Sequence, residues 1–244
     1  TISCLAHKSH NQGQTQSRLH SKFPSFHGAK YTSCTHYLRP MNPSPSLHPL
    51  PPLTPERLSD FWSAALPMAD WWSHLSAMQP DPSAPYDQYI DINRQRVRRI
   101  AKSLVLAPET IAAAQAAPQG THWLVLNEHW CGDGAQILPV LDAIATASAG
   151  RITLRGLFRD QNTELMDHFL TGGGRSIPMT IAFDADFVVQ GSWGPRPLEA
   201  SALVRKLKSN PETAEHYSAH LHKWYAKDKQ VSIQREVVAY LMHP

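Results

Sequence analysis

A single cysteine stands in the part of this chain that is composed to fold. Cys131 lies in Asn127-Glu-His-Trp-Cys-Gly-Asp-Gly134, where an apolar run gives way to a helical pattern. A cysteine at a helix N-terminus can serve as a nucleophile, because the unpaired backbone N–H groups there favour the thiolate. Thiol–disulfide exchange has two steps: a thiolate attacks a substrate disulfide, and a second thiol then resolves the mixed disulfide. That second thiol would have to share a helical turn with the first. The position in question is Gly134, so an internal Cys-x-x-Cys cycle is excluded. Cys4 and Cys34 lie far upstream and reach the site only if that segment folds back.

Magnitudes leave the reactivity of Cys131 open. A helix N-terminus is worth ~0.3–1 kcal/mol to a thiolate, under one unit off a pKa of about 8.5. Asp133 opposes it: at roughly 6 Å in a water-like dielectric the repulsion is about 0.7 kcal/mol. The two nearly cancel. His129 would tip the balance if it were protonated and faced the sulfur, and Glu128 is the nearest acidic group upstream. Cys131 is therefore either an exchanging thiol or a buried, unreactive one.

Periodicity and turn residues give the elements that must position this turn. Trp123-Leu-Val-Leu126 is a short apolar run and predicts a buried strand. Cys131 to Ser148 predicts a helix with Ile137, Leu138, Leu141 and Ile144 on its core face and Pro139 bending it. Ile152–Phe158 alternates as a strand, and Thr163–Leu170 is helical up to Gly172, Gly173 and Gly174. Met179–Asp184 and Phe187–Gln190 form a hairpin around Asp-Ala-Asp. Pro197–Lys208 predicts a helix, and one more runs from Glu212 to Leu241. From residue 121 the order is β-α-β-α-β-β-α. This is an α/β fold, a central mixed sheet flanked by helices.

Upstream, Thr54 caps a helix with Pro55 at its first position. Pro67 breaks or kinks that helix, which continues to Met78 with Trp71 and Trp72 as packing groups. Tyr86–Leu106 and Pro108–Ala117 predict two further helices. Arg94, Arg96, Arg98, Arg99 and Lys102 crowd the first of these and read as a solvated face rather than a binding patch. The chain thus divides into a disordered leader at 1–53, an N-terminal helical extension at 54–120, a domain at 121–210, and a C-terminal helical extension at 211–244 packed on that domain.

Composition narrows the function classes. The leader is rich in Ser, His, Pro, Gln and Asn and carries no Asp or Glu, too polar to offset its ordering entropy. Five of the 23 Lys and Arg lie in it, leaving 18 against 20 Asp and Glu in the remainder. The positive net charge of +3 therefore belongs to the leader, and the near-neutral remainder argues against a nucleic-acid partner. No run approaches the ~18 apolar residues of a membrane span. The leader reads as an organelle transit peptide, as a non-targeting extension, or as translated upstream sequence with Met41 as the start. The odd cysteine count is no disulfide framework and fits a reduced, cytoplasmic setting. Of the 14 histidines, His216 and His220 are spaced i, i+4, but no third ligand is evident near them, so no metal is expected.

Order and local signatures together resemble the thioredoxin family. Trp130-Cys-Gly-Asp-Gly134 resembles the Trp-Cys-Gly-Pro-Cys active site of thioredoxins at the same strand-to-helix position. Pro139 falls where those proteins carry a helix-kinking proline, and Ser176-Ile-Pro178-Met-Thr resembles the segment holding their cis-proline. This likeness covers about residues 121–208. A narrower one, over about 54–244, is to bacterial thioredoxin family proteins with a Trp-Cys-Gly-Asp start, extra helices, and segments like Trp193-Gly-Pro-Arg-Pro197 and Trp224-Tyr-Ala-Lys-Asp228. The departures are Gly134 for the second cysteine, Asp133 for the motif proline, and Val125 for the buried aspartate.

The resemblance implies a thioredoxin-like fold with extra N- and C-terminal helices, and two functions. One is monothiol thiol–disulfide exchange, with Cys131 as nucleophile and glutathione or another small thiol as resolving co-substrate. The other is a non-catalytic module that binds a peptide or protein. The turn would be Glu128, His129, Trp130, Cys131, Gly132, Asp133 and Gly134. A groove of Trp130, Ile177, cis-Pro178, Met179 and Trp193 would pair an extended peptide or glutathione. Arg196 would hold a carboxylate or cap the following helix. Partners would be protein or peptide thiols and disulfides, with no bound cofactor.

Overall fold

The computed structural model describes residues 50–242. The expectations for the leader's first 49 residues, including Cys4, Cys34 and the Met41 start, lie outside the described residues.

Helix α1 (Pro55–Ala64) starts as its sequence requires, with Thr54 Oγ1 accepting from the Arg57 N–H at 3.4 Å. Of the break or kink expected at Pro67 the chain takes the break: Leu66–Pro67 forms a two-residue strand, β1, before α2 (Met68–Ala77). Proline has no N–H to continue a helix, and on a sheet edge none is needed. Helices α3 (Ile90–Ser103) and α4 (Pro108–Ala116) follow, with the first turn of the expected 86–106 helix replaced by a 3-10 turn at Asp87–Tyr89.

The sheet comes next. Strand β2 (Thr121–Asn127) feeds α5 (Gly134–Ala147), which returns into β3 (Ile152–Phe158). A short helix α6 (Thr163–Met166) leads to the hairpin β4 (Met179–Phe183) and β5 (Val189–Trp193), and α7 (Leu198–Ser209) closes the unit. The strand order is β1-β3-β2-β4-β5. Strand β3 runs parallel to β2, while β4 lies antiparallel on β2 and β5 antiparallel on β4. This is the mixed sheet expected from the order of elements, with helices on both faces.

Successive residues of β2 point to opposite faces. Trp123 and Val125 enter one core with Ile137, Leu141 and Ile144 of α5, whereas Leu124 and Leu126 enter the other with Leu165, Met166 and Cys131. The terminal helices complete these cores rather than decorate them. Leu58 and Trp62 of α1 belong to the Cys131 side, and Trp71 of α2 belongs to the α5 side.

The single C-terminal helix expected from 212 to 241 is three: α8 (Pro211–Ala214), α9 (Tyr217–Asp228) and α10 (Val231–Leu241). Lys229 and Gln230 both take left-handed backbone, φ 50° and 64°, and reverse the chain. The reversal sends Gln234 of α10 back to the α3–α4 link, where its side chain accepts from Ala107 N–H at 2.8 Å and donates to the Val105 carbonyl at 3.2 Å. Among the described residues no helix is long and apolar enough to cross a membrane.

One close approach fixes α2 to the sheet. A Cβ on Gly156 of β3 would lie within 3.0 Å of three atoms of the Trp71 indole, which is 1% exposed. Trp72 beside it donates to Asp142 Oδ2 of α5 at 2.8 Å. Gly156→Ala should therefore displace Trp71 and lower stability by about 1–3 kcal/mol, the usual cost of overpacking. Urea unfolding should show a lower midpoint at unchanged slope; an unchanged midpoint would show that the indole moves freely.

Candidate functional site

The turn between β2 and α5 holds Cys131 through both its backbone and its sulfur. Its N–H donates to the Glu128 carbonyl at 3.0 Å, and its own carbonyl accepts from Ala135 at 3.0 Å, the start of α5. The sulfur accepts from the Gly134 N–H at 3.3 Å and donates to the Ile177 carbonyl at 3.4 Å. The Ile177–Pro178 peptide beside it is cis, as is Gly194–Pro195.

Cys131 is 7% exposed. Burial, and next the Asp133 charge, push its thiol up to about 12, against the Gly134 and Asp133 N–H groups and Arg196. The near-cancellation reached from sequence assumed a water-like dielectric. In a buried site desolvation of the thiolate outweighs the helix N-terminus, so the resting group at neutral pH is a thiol.

Asp133 is buried and clamped from two distant segments. Arg196 Nε and Nη2 both donate to Oδ2, at 3.0 and 2.6 Å, and Tyr225 Oη of α9 donates to Oδ1 at 2.6 Å. Burial works against the Arg196 charge, but the Asp133 carboxylate more than offsets it and holds the guanidinium above its ordinary range. Burial and the same carboxylate hold the Tyr225 hydroxyl well above its own. The carboxylate that Arg196 binds is thus internal, neither a ligand's nor a cap on α7.

Trp193 is turned away from the thiol. Its indole N–H donates to Glu236 Oε2 of α10 at 3.0 Å, and Glu236 Oε1 accepts from the Leu198 N–H at 2.9 Å. Its ring packs in the core shared with α9 and α10. The expectation that Trp193 lines a groove is therefore corrected: the indole N–H needs a buried acceptor, and the C-terminal helix supplies it. Gly194 next to it lies so close to Pro178 that a Cβ would overlap the Pro178 carbonyl oxygen. The Trp193–Pro197 segment thereby braces the Pro178 loop while its Arg196 reaches the Cys131 turn.

The other turn residues are also engaged. His129 is buried, its Nε2 2.9 Å from His74 Nδ1 and its ring edge-on to Trp71 at 4.5 Å. Burial, then His74 and Arg94, lower it to about 4, so it carries no charge that could favour a thiolate at neutral pH. Its carbonyl accepts from Asn93 Nδ2 at 2.9 Å. Glu128 accepts from the Asp160 N–H at 2.8 Å, and burial raises it to about 7 despite that bond. Trp130 lies between Tyr86, at 4.9 Å, and the Arg159 guanidinium, at 5.5 Å. Over Gly132 stand Arg96 and His222, each 3.2 Å from where a Cβ would be. Arg94 is likewise no solvated side chain: it donates to the Leu75 and Met78 carbonyls at the end of α2.

Ile177, Pro178 and Met179 adjoin the sulfur and are all buried. Sequence reasoning missed Asn127, Tyr225, His74, Asn93 and Glu236. Tyr225 lay within a segment already noted for its likeness, but nothing in local spacing links it to Asp133. Among the described residues no three His, Cys, Asp or Glu side chains are grouped to hold a metal ion.

Comparison with known proteins agrees with this geometry. A family model described as Thioredoxin matches residues 79–234, more than half of the chain. No curated protein matches. Among solved structures, a protein of unknown function from Pseudomonas aeruginosa is 17% identical, with 74% of this chain and 94% of that one covered and a TM-score of 0.54. An HIV epitope-scaffold is also 17% identical, with 74% and 94% covered and a TM-score of 0.52. At such identity these two share the fold alone. Strand order, the position of Cys131 at the head of α5 and the family match together show that the chain belongs to the thioredoxin family.

Proposed function

We propose that this chain is a member of its family with a single motif thiol, in which Cys131 exchanges with external thiols and disulfides and no second motif cysteine resolves it. The observation that carries this reading is the placement of Sγ, 3.3 Å from the Gly134 N–H at the head of α5 and 3.4 Å from the Ile177 carbonyl. The first group stabilises a thiolate. The second lies where an extended peptide or small thiol would pair its backbone. In the reaction the Cys131 thiolate attacks a disulfide sulfur, forms a mixed disulfide and releases the other half as a thiolate. A small external thiolate such as glutathione then attacks the non-protein sulfur, forms a new disulfide and frees Cys131.

The resting thiol makes this slow. With a pKa pushed up to about 12, on the order of one molecule in 10⁵ is a thiolate at pH 7. A second reading, a module that binds a peptide beside Pro178 without turnover, is favoured by that protonated thiol.

One measurement separates the two. In a chain with Cys4→Ser and Cys34→Ser, Cys131 alkylation should rise about tenfold per pH unit up to pH 10, and oxidised glutathione should leave one adduct that reduced glutathione removes. A plateau near pH 8.5 would contradict the buried thiol. Absence of any adduct at pH 10 in the folded chain would sink exchange and leave the binding module.

Asp133→Asn should move that alkylation profile to lower pH, because it removes a charge that raises the thiol. It should also cost about 3 kcal/mol in urea unfolding, since it leaves the buried ends of Arg196 and Tyr225 without their carboxylate. Unaltered stability would show that the clamp is replaceable by water.

A further inference from the structure

We propose that Asn127, rather than Gly134 alone, limits this chain to a single motif thiol, because its side chain fills the space where the Cβ of a second motif cysteine would lie. The proposal takes its functional meaning from the single-thiol reading above, but its packing test does not depend on Cys131 being reactive.

Gly134 opens α5, and both it and Asn127 are buried. A Cβ on Gly134 would lie within 3.0 Å of Oδ1, Nδ2 and Cγ of Asn127, closer than real Cβ contacts come. Asn127 cannot easily retreat. Its backbone is in the last register position of β2, opposite Phe158, and its Nδ2 donates to the Glu128 carbonyl at 2.9 Å. Its Oδ1 finds no hydrogen-bond partner among the described residues. Asn127 and Gly134 also border a cavity of about 10 Å³, shared with Trp71, Asn93 and Glu128. That is room for at most about one water, not for a displaced amide.

Position 134 is therefore closed to any side chain while Asn127 stands. Replacing Gly134 with cysteine would not by itself give a Cys-x-x-Cys pair; position 127 must be emptied as well. With both changed, oxidised glutathione supplies the oxidant. One protein thiolate attacks it, forms a mixed disulfide and releases one glutathione thiolate. The other protein thiolate then attacks the protein sulfur of that mixed disulfide, closes the intramolecular bond and releases the second glutathione. The chain loses two electrons and two protons, and glutathione disulfide is reduced.

Two experiments in the Cys4→Ser, Cys34→Ser full chain test this. The first is a thermal cycle of Gly134→Ala, Asn127→Ala and the pair. Gly134→Ala alone should lower Tm by about 5–10 °C, and the same substitution should cost nothing when Asn127→Ala is already present. A Gly134→Ala chain as stable as its parent overturns the proposal outright, and so does an equal loss in both backgrounds. The second is thiol titration at pH 9 after oxidised glutathione. Gly134→Cys alone should keep both thiols out of an intramolecular bond in more than nine chains in ten, whereas Asn127→Ala with Gly134→Cys should lose two titratable thiols per chain. A disulfide that closes equally well with Asn127 in place overturns the proposal. Failure of Cys131 to take glutathione in the parent, with the thermal cycle as expected, would count against the exchange reading and leave the packing claim standing.

Discussion

The carboxylate of Asp133 is the point on which this structure turns. It receives Arg196 from the loop between β5 and α7 and Tyr225 from α9, so one side chain at the head of α5 ties together three segments far apart in sequence. A buried carboxylate without partners would cost several kcal/mol of desolvation, which makes the placement of Arg196 and Tyr225 a condition of folding here, not an ornament. The brace extends outward from Arg196. Trp193 is held by Glu236, Glu236 also takes the Leu198 N–H, and Gly194 rests on Pro178. The Cys131 turn, the Pro178 loop and the C-terminal helices therefore form one connected polar network within an apolar core.

Burial first, and then the Asp133 charge of that network, decide the chemistry of the thiol. A rise from 9.0 to about 12 corresponds to roughly 4 kcal/mol against the thiolate. The helix N-terminus offers only ~0.3–1 kcal/mol in return. The same N–H that stabilises a thiolate is present, but the sulfur is buried and the Asp133 charge opposes the thiolate. Arg196 would favour the thiolate, yet its charge is largely spent on Asp133. A scaffold with an open, wetter turn and no carboxylate at position 133 would tip the other way with the same cysteine.

Much of this fold was legible in the sequence because its signals are local. The apolar run of β2, the helical period around Pro139, the alternation of β3 and the hairpin after Pro178 each declare themselves within about ten residues, and their order leaves few topologies. The site was legible only in part. Cys131, Asp133 and Pro178 could be placed by motif, but the partner of Arg196 lies 63 residues away and that of Tyr225 lies 92 away. Trp193 was misplaced for the same reason: an indole beside an active turn and one facing a C-terminal helix look alike in sequence. The break at Lys229 and Gln230, where both take left-handed backbone, was hidden because neither residue is a usual helix breaker. Asn127 was hidden because only the path of the turn brings its amide against Gly134.

The terminal helices also change what counts as the site. Read as additions to a core domain, α2, α3 and α9 would leave the Cys131 turn facing solvent. In the structure they enclose it. His74 of α2 meets His129, Asn93 of α3 holds the His129 carbonyl, and Arg96 of α3 with His222 of α9 stands over Gly132. The sulfur itself lies in the core that Leu58 and Trp62 of α1 complete, so burial of the turn and of its thiol draws on helices outside the sheet and α5. A fragment trimmed to the sheet domain would expose Asp133 and Cys131 together and lose Tyr225. Its thiol would sit closer to the ordinary range, and its reactivity would say little about that of the intact protein.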